Sequence, residues 1–262
     1  MKRRILLLAI TFTLVAAACS DDSSNNTPDA TSADSSAADA GGDSSAAPGL
    51  WAVLVRGELA KSDVAQAKAD HDAVAAAGET PAKAAGDIGH DALLGTTLLG
   101  TTENAFLGID QWNDAANIEG FYSDPTFQQA FGALFKSPPQ PEVFQHAASW
   151  HNWGNLAAGD GGDHYFVVVR GRLAESDAAK SQAAHDGIAA AGEPQAKALG
   201  DVAHVVFLGL KDPREFFAVD IWTSVDKLEA FYSDPTFQQA FGALFEGQPS
   251  VSVYRSTDWH QW

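Results

Sequence analysis

The stretch Phe121-Tyr-Ser-Asp-Pro-Thr-Phe-Gln-Gln-Ala-Phe-Gly-Ala-Leu-Phe135 recurs without a change at Phe231–Phe245. Such self-similarity is sought before any fold is read, because a repeat fixes the architecture. The match continues outward more loosely. Val55-Arg56-Gly57 pairs with Val169-Arg170-Gly171, His71-Asp72 with His185-Asp186, and Gly86-Asp87 with Gly200-Asp201. His90 pairs with His204, Trp112 with Trp222, and Trp150-His151-Asn152-Trp153 with Trp259-His260-Gln261-Trp262. One unit therefore occupies 50–153 and its copy 164–262. The Gly/Asp-rich joint 154–163 lies between them and, lacking a P-loop Lys, reads as a hinge.

Each copy reads β-α-β-β-α-β. Strands are expected at 51–55, 92–95, 105–112 and 142–145, and in the copy at 165–169, 205–209, 215–222 and 251–255. Ser62 and Ser176 suit the start of the first helix, and Gly78 and Gly192 suit a left-handed stop. Ile118, Phe121 and Tyr122 (Leu228, Phe231 and Tyr232) have the spacing of one helical face. Ser-Asp-Pro then interrupts that helix, and Pro125 or Pro235 suits the first position of a new one. The third strand alternates Phe106, Gly108, Asp110 and Trp112 with Leu107 and Ile109. Both faces are mainly apolar, so both need cover. Helices supply one cover and the sister copy's sheet the other. The expected fold is α+β, two tandem ferredoxin-like units closing on each other as an intrachain pseudo-dimeric α/β barrel.

The N-terminus carries a different signal. Met1-Lys-Arg-Arg4 precedes a 14-residue apolar run, Ile5–Ala18, and then Cys19, the only cysteine of the 262 residues. The run is short for a bilayer, which needs ~20 residues, and the pattern is that of a secretory signal. Leu14-Val-Ala-Ala-Ala-Cys19 resembles the lipobox of bacterial lipoproteins, which implies lipid on Cys19, membrane attachment and an envelope location. Residues 20–49, with six Asp and no aromatic or large aliphatic side chain, read as an unstructured tether. Residues 50–262 carry 13 basic and 28 acidic residues, a net of −15, which repels nucleic acid.

Strand-end Trp112 and the segment Ile118-x-x-Phe-Tyr-x-Asp-Pro-x-Phe127 resemble the dimeric α/β-barrel superfamily, most closely its antibiotic-biosynthesis-monooxygenase-like domains. That resemblance implies a cavity between sheet and helices for a small apolar molecule and, at most, cofactor-independent oxygenation. Many such domains carry His nine residues after the strand-end Trp, where this chain has Phe121 and Phe231. The heme-degrading branch has Trp there and His ten residues later, where this chain has Phe131 and Phe241. Heme chemistry of that kind is disfavoured, and no cofactor is expected.

Four constellations carry candidate chemistry. Asp110 and Asp220 lie mid-strand, where an unpaired carboxylate is costly. With first and third strands adjacent and read as parallel, Arg56 and Arg170 are their expected partners, in a structural pair or a ligand pocket. His71 and His185 lie on the apolar side of the first helix, as core histidines or as acid/base groups. His90 and His204 open the second strand, as loop caps or pocket residues, with Trp112, Trp222, Phe121 and Phe231 completing the pocket. The Trp-His-x-Trp endings read as aromatic clamps, each closing its own repeat. No spacing matches a metal-ligand motif, so no metal is expected. Two functions follow. One is a ligand-binding, oxygenase-like barrel using His71, Asp110, His185 and Asp220. The other is a non-catalytic ligand-binding, partner-binding or structural module. A monomer with internal pseudo-twofold symmetry is expected in either.

Overall fold

The computed structural model describes residues 49–159 and 161–262. The stretch expected to be an export signal, Cys19, and all but the last residue of the expected tether lie outside them. Chain order gives β1 (Trp51–Glu58), α1 (Val64–Ala85), β2 (Asp87–Gly95), β3 (Ala105–Trp112), α2 (Ile118–Tyr122), α3 (Pro125–Gly132) and β4 (Glu142–His146). The second half gives β5 (Tyr165–Arg172), α4 (Ala178–Leu199), β6 (Asp201–Gly209), β7 (Glu215–Trp222), α5 (Val225–Tyr232), α6 (Pro235–Gly242) and β8 (Ser250–Arg255). The strands close into one eight-stranded barrel, ordered β1-β3-β2-β8-β5-β7-β6-β4, with every pairing antiparallel. The halves meet at two short seams, Leu94-Gly95 against Tyr254-Arg255 and Phe144–His146 against Phe207–Gly209.

Alternation along β3 decides what faces where. Leu107 and Ile109 enter the barrel interior with Leu54, Phe144, Phe166, Phe207 and Phe217. Phe106 and Trp112 face the helices with Ile118, Tyr122 and Phe135. Each strand thus feeds two cores, one shared by the halves and one under its own half's helices, to which the other half adds Trp259 or Ala147 and Trp150. The joint also contributes, because Leu156 is buried in the shared core; it is more than a hinge.

Local chemistry sets the helix ends. Asp63, rather than Ser62, caps α1 by accepting from the Gln66 N–H at 2.9 Å, and Asp177 does the same for α4. Asp124 accepts from the Thr126 and Phe127 N–H groups, so the Ser-Asp-Pro break becomes the cap of α3. The first helix does not stop at Gly78 or Gly192. It runs on to Ala85 or Leu199, past Pro81 or Pro194, and ends at Gly86 (φ 111°) or Gly200 (φ 101°). In α1, Ala75 and Ala82 are buried on either side of Gly78, so packing holds that glycine helical and Gly86 takes the left-handed role. The second strands start earlier than expected, at Asp87 and Asp201, where a register shift bulges each strand.

Two further expectations are corrected. β1 and β3 run antiparallel, with Val53 opposite Asp110 and Arg56 opposite Leu107. Arg56 and Asp110 are thus three register steps apart and on opposite faces of the sheet. Arg56 and Arg170 both bind Glu142, Arg56 at 2.7 Å, and neither reaches the helix-side cavity.

Candidate functional site

On the helix side of each half, five polar side chains form a continuous relay. In the first half, Tyr122 OH donates to Asp110 Oδ2, and Asp110 Oδ1 meets His90 Nδ1. His90 Nε2 faces His71 Nε2 at 3.4 Å, and His71 Nδ1 reaches Asp72 Oδ1 at 3.3 Å. The second half repeats it. Tyr232 OH meets Asp220 at 2.5 Å, Asp220 meets His204 at 2.5 Å, His204 meets His185 at 3.2 Å, and His185 meets Asp186 at 3.0 Å. The chain runs from a buried phenol to a carboxylate at the surface. β3 supplies Asp110, β2 His90, α1 His71 and Asp72, and α2 Tyr122.

The protonation pattern follows from the contacts. Two Nε2 atoms facing each other need one proton between them. Burial, then the neighbouring His90, lowers His71 to a pKa of about 4, so His71 is neutral near pH 7. Its Nδ1–H is directed at Asp72 and its Nε2 accepts. His90 is also buried, which alone lowers it, but the nearby carboxyls, Asp110 foremost with Asp87 and Asp91, together outweigh burial and its pKa is raised. His90 is therefore the cation, donating to Asp110 from Nδ1 and to His71 from Nε2. Burial and the adjacent Asp220 or Asp110 hold the Tyr232 and Tyr122 phenols well above their usual range. His185 is lowered to about 4 by burial and then His204.

Beside each relay lies another carboxyl. Asp87 accepts from the Gly89 N–H at 3.0 Å and Asp201 from the Ala203 N–H at 3.1 Å. Burial, then the charge of Asp110 or Asp220, raises Asp87 to about 7 and Asp201 to about 9.

Each site is lidded by the other half. Trp262 stacks on His90 at 4.5 Å and Trp259 packs on His71 at 5.0 Å. Reciprocally, Trp153 stacks on His204 at 4.6 Å and Trp150 packs on His185 at 5.0 Å. The His260 N–H donates to Asp72 and the His151 N–H to Asp186, both at 2.7 Å. The Trp-His-x-Trp clamps are therefore exchanged, and do not close their own repeats. Closure of the barrel through β2–β8 and β4–β6 is the reason, because it delivers each half's C-terminal end to its sister.

A cavity of about 30 Å³ in the first half and about 40 Å³ in the second touches the relay. The first is lined by His71, His90, Asp87, Asp110, Phe121, Phe127 and Trp262, the second by their counterparts. This is room for about one water molecule. Outside it, an apolar groove of about 610 Å³ runs between α1 and α2–α3, and Val74, Gly78, Phe121 and Phe127 line both spaces.

The structure brings together His71, His90, Asp110 and Phe121, and likewise His185, His204, Asp220 and Phe231. His90 and His204 lie within strands and are no loop caps. Trp112 and Trp222 are fully buried and pack on Tyr122 and Tyr232 without lining the cavities. Arg56 and Arg170 lie elsewhere. Sequence reasoning missed Tyr122, Tyr232, Asp72, Asp186, Asp87 and Asp201 as site residues. The repeat held the signal, since each pair keeps a polar group beside an apolar stripe. Among the described residues, no group of three His, Cys, Asp or Glu is arranged to hold a metal ion.

No family model and no curated protein matches the sequence. Solved structures match in shape. An anthrone oxidase-like protein superposes with TM-score 0.56 at 18% identity, covering 82% of this chain and 93% of its own. A protein provisionally described as a monooxygenase from Lactobacillus acidophilus NCFM gives 0.51 at 8% identity, covering 80% and 95%. A mutant chlorite dismutase from Candidatus Nitrospira defluvii gives 0.52 at 10%, covering 79% and 91%. The fold is that of the dimeric α/β barrels. At these identities the likeness extends to the fold alone.

Proposed function

We propose that this chain is a membrane-anchored envelope lipoprotein, a tandem duplication of a ferredoxin-like unit. In this reading each half binds a small, mostly apolar molecule and carries out cofactor-independent, oxygenase-like proton abstraction. The observation that carries the reading is the buried Tyr-Asp-His-His-Asp relay, whose central Asp and two His line an aromatic cavity in both halves. Buried polar networks of this kind are costly unless fully satisfied, and a relay reaching the surface can move a proton. The groove between α1 and α2–α3 has the size of a small-molecule site, typically ~300–1,000 Å³. Phe121 and Phe127 separate it from the relay, so rotation of these rings admits a flat ligand. Asp87 then takes a proton from the ligand, with a pKa of about 7 as a general base requires, and Asp201 does so only at the more alkaline pH where it ionises. The His90 cation stabilises the resulting oxyanion.

Anthrone, suggested by the anthrone oxidase-like neighbour, is the probe. Its carbon acid loses a proton to Asp87, the carbanion reduces O₂ and binds it, and loss of water leaves anthraquinone; anthrone plus O₂ gives anthraquinone plus water. Oxygen uptake by the wild-type protein should exceed that of the Asp87→Asn/Asp201→Asn double variant. Equal uptake removes the oxygenase reading.

The second reading is a ligand-binding or structural module without turnover, and the smallness of the relay cavities favours it. Quenching of tryptophan fluorescence by anthraquinone separates these cases. Quenching without turnover supports a binding module, and neither signal supports a structural one. The lipoprotein reading has its own test. Cys19→Ala should move the protein from membranes to the soluble fraction, and persistent membrane association sinks it. Among the described residues no helix is long and apolar enough to cross a membrane.

A further inference from the structure

The facing histidines offer more than a proton relay. In each half two Nε2 atoms point at each other, at 3.4 Å for His71 and His90 and 3.2 Å for His185 and His204. Each ring's other nitrogen is held by a carboxylate: Asp72 and Asp110 in the first half, Asp186 and Asp220 in the second. A carboxylate on Nδ1 is the arrangement that orients a metal-ligating histidine and raises its basicity. It commits both Nδ1–H groups, so both Nε2 lone pairs face one point and a cation must lie between them.

We propose that each histidine pair is a binding site for a soft monovalent d¹⁰ cation, Cu(I) or Ag(I), which takes the place of the shared proton. A metal about 2 Å from each nitrogen on the lone-pair axis spans about 4 Å, so the pair, 3.2–3.4 Å apart, opens by under about 1 Å to admit it. On the cavity side, which His71, His90, His185 and His204 all line, a small third ligand can reach it. Charge selects the class. One monovalent cation replacing one proton leaves the buried balance against Asp110 or Asp220 unchanged. A divalent ion adds a buried positive charge beyond what Asp110 or Asp220 balances, and the neighbouring Asp87 or Asp201 is already engaged with the Gly89 or Ala203 N–H. The lids help, because Trp259, Trp262, Trp150 and Trp153 pack on the four rings and exclude water. The pair also belongs to the relay of the proposed turnover, but metal binding does not depend on that turnover, and its test uses no organic substrate.

The experiment uses Ag(I), which does not change oxidation state, in chloride-free buffer. The full chain carries Cys19→Ser so that no thiol competes. Equilibrium dialysis should give two tightly held Ag(I) per chain, one in the added His71→Gln or His185→Gln variant, and none in the variant carrying both. Nitrogen-15 NMR of the Cys19→Ser chain, with all histidines intact, guards against misfolded variants. Ag(I) should shift the Nε2 signals of His71, His90, His185 and His204 and leave their Nδ1 signals in place, while Zn(II) at the same concentration moves none of them. Equal Ag(I) uptake by the double-histidine variant, unmoved Nε2 signals, or an equal response to Zn(II) would each overturn the proposal.

Discussion

Burial strips a carboxylate of its hydration, and Asp201, beside Asp220, keeps its proton up to about pH 9 against 3.8 for an ordinary Asp. Its contribution to stability is therefore full below pH 3.8 and is lost as pH rises from there to about 9. Asp87 behaves likewise up to about 7. Asp201→Asn keeps an oxygen for the Ala203 N–H and removes the penalty. It should raise the melting temperature at pH 9 and leave it nearly unchanged at pH 3.8, as calorimetry at both values can read. Each pH unit of displacement corresponds to roughly 1.4 kcal/mol. His71 and His185 act in the opposite sense. Their pKa falls from 6.5 to about 4 on folding, so their stabilisation is present above 6.5 and is lost between 6.5 and 4. His71→Gln together with His185→Gln should flatten that acid limb. The pairing of Asp110 gives a third test. Asp110→Asn removes the counter-charge of the buried His90 and should cost about 3–5 kcal/mol in urea unfolding. Arg56→Met, at a side chain 36% exposed, should cost under about 1 kcal/mol. The reverse order would restore the Arg56–Asp110 pair expected from the sequence. That expectation failed on strand direction: it placed Arg56 near Asp110, whereas an antiparallel neighbour brings Val53 there. The need of Asp110 for a cationic partner was legible; that His90 meets it was not.

Elements tell a similar story. Third strands and the helices that restart at Pro125 and Pro235 follow from alternation and helix-start rules that act within a few residues. The extension of α1 past Gly78 and Pro81 was not legible, because contacts from distant residues override local propensity there. The exchanged clamps were equally hidden: Trp-His-x-Trp announces an aromatic anchor but carries no direction to its seat. The exchange predicts a crossed response. Trp259→Ala, truncating a buried ring, should cost about 3–5 kcal/mol and shift the NMR signals of His71 in the opposite half, leaving His185 in place. Trp150→Ala should do the converse. Perturbation of the histidine in the variant's own half would contradict the packing.

At the scale of the molecule, the two apolar faces of β3 made a second sheet necessary, and barrel closure meets that need. The body should sediment as a monomer, since each half already has a sheet partner. Residues 164–262 alone should dimerise or aggregate, because the inner face of their sheet is left bare; a soluble monomeric half would refute this. The exchange of lids also has a consequence in time. Chains leave the ribosome N-terminus first, so Trp150 and Trp153 are made before the half they cover, whereas Trp259 and Trp262 are made long after theirs. The second half can seal its relay as soon as it folds. The first must hold His71 and His90 open to water until nearly the whole body has emerged. Two almost identical sites thus mature on different schedules, and a chain stopped between residues 255 and 258, with β8 complete but Trp259 and Trp262 missing, carries one finished and one unfinished copy.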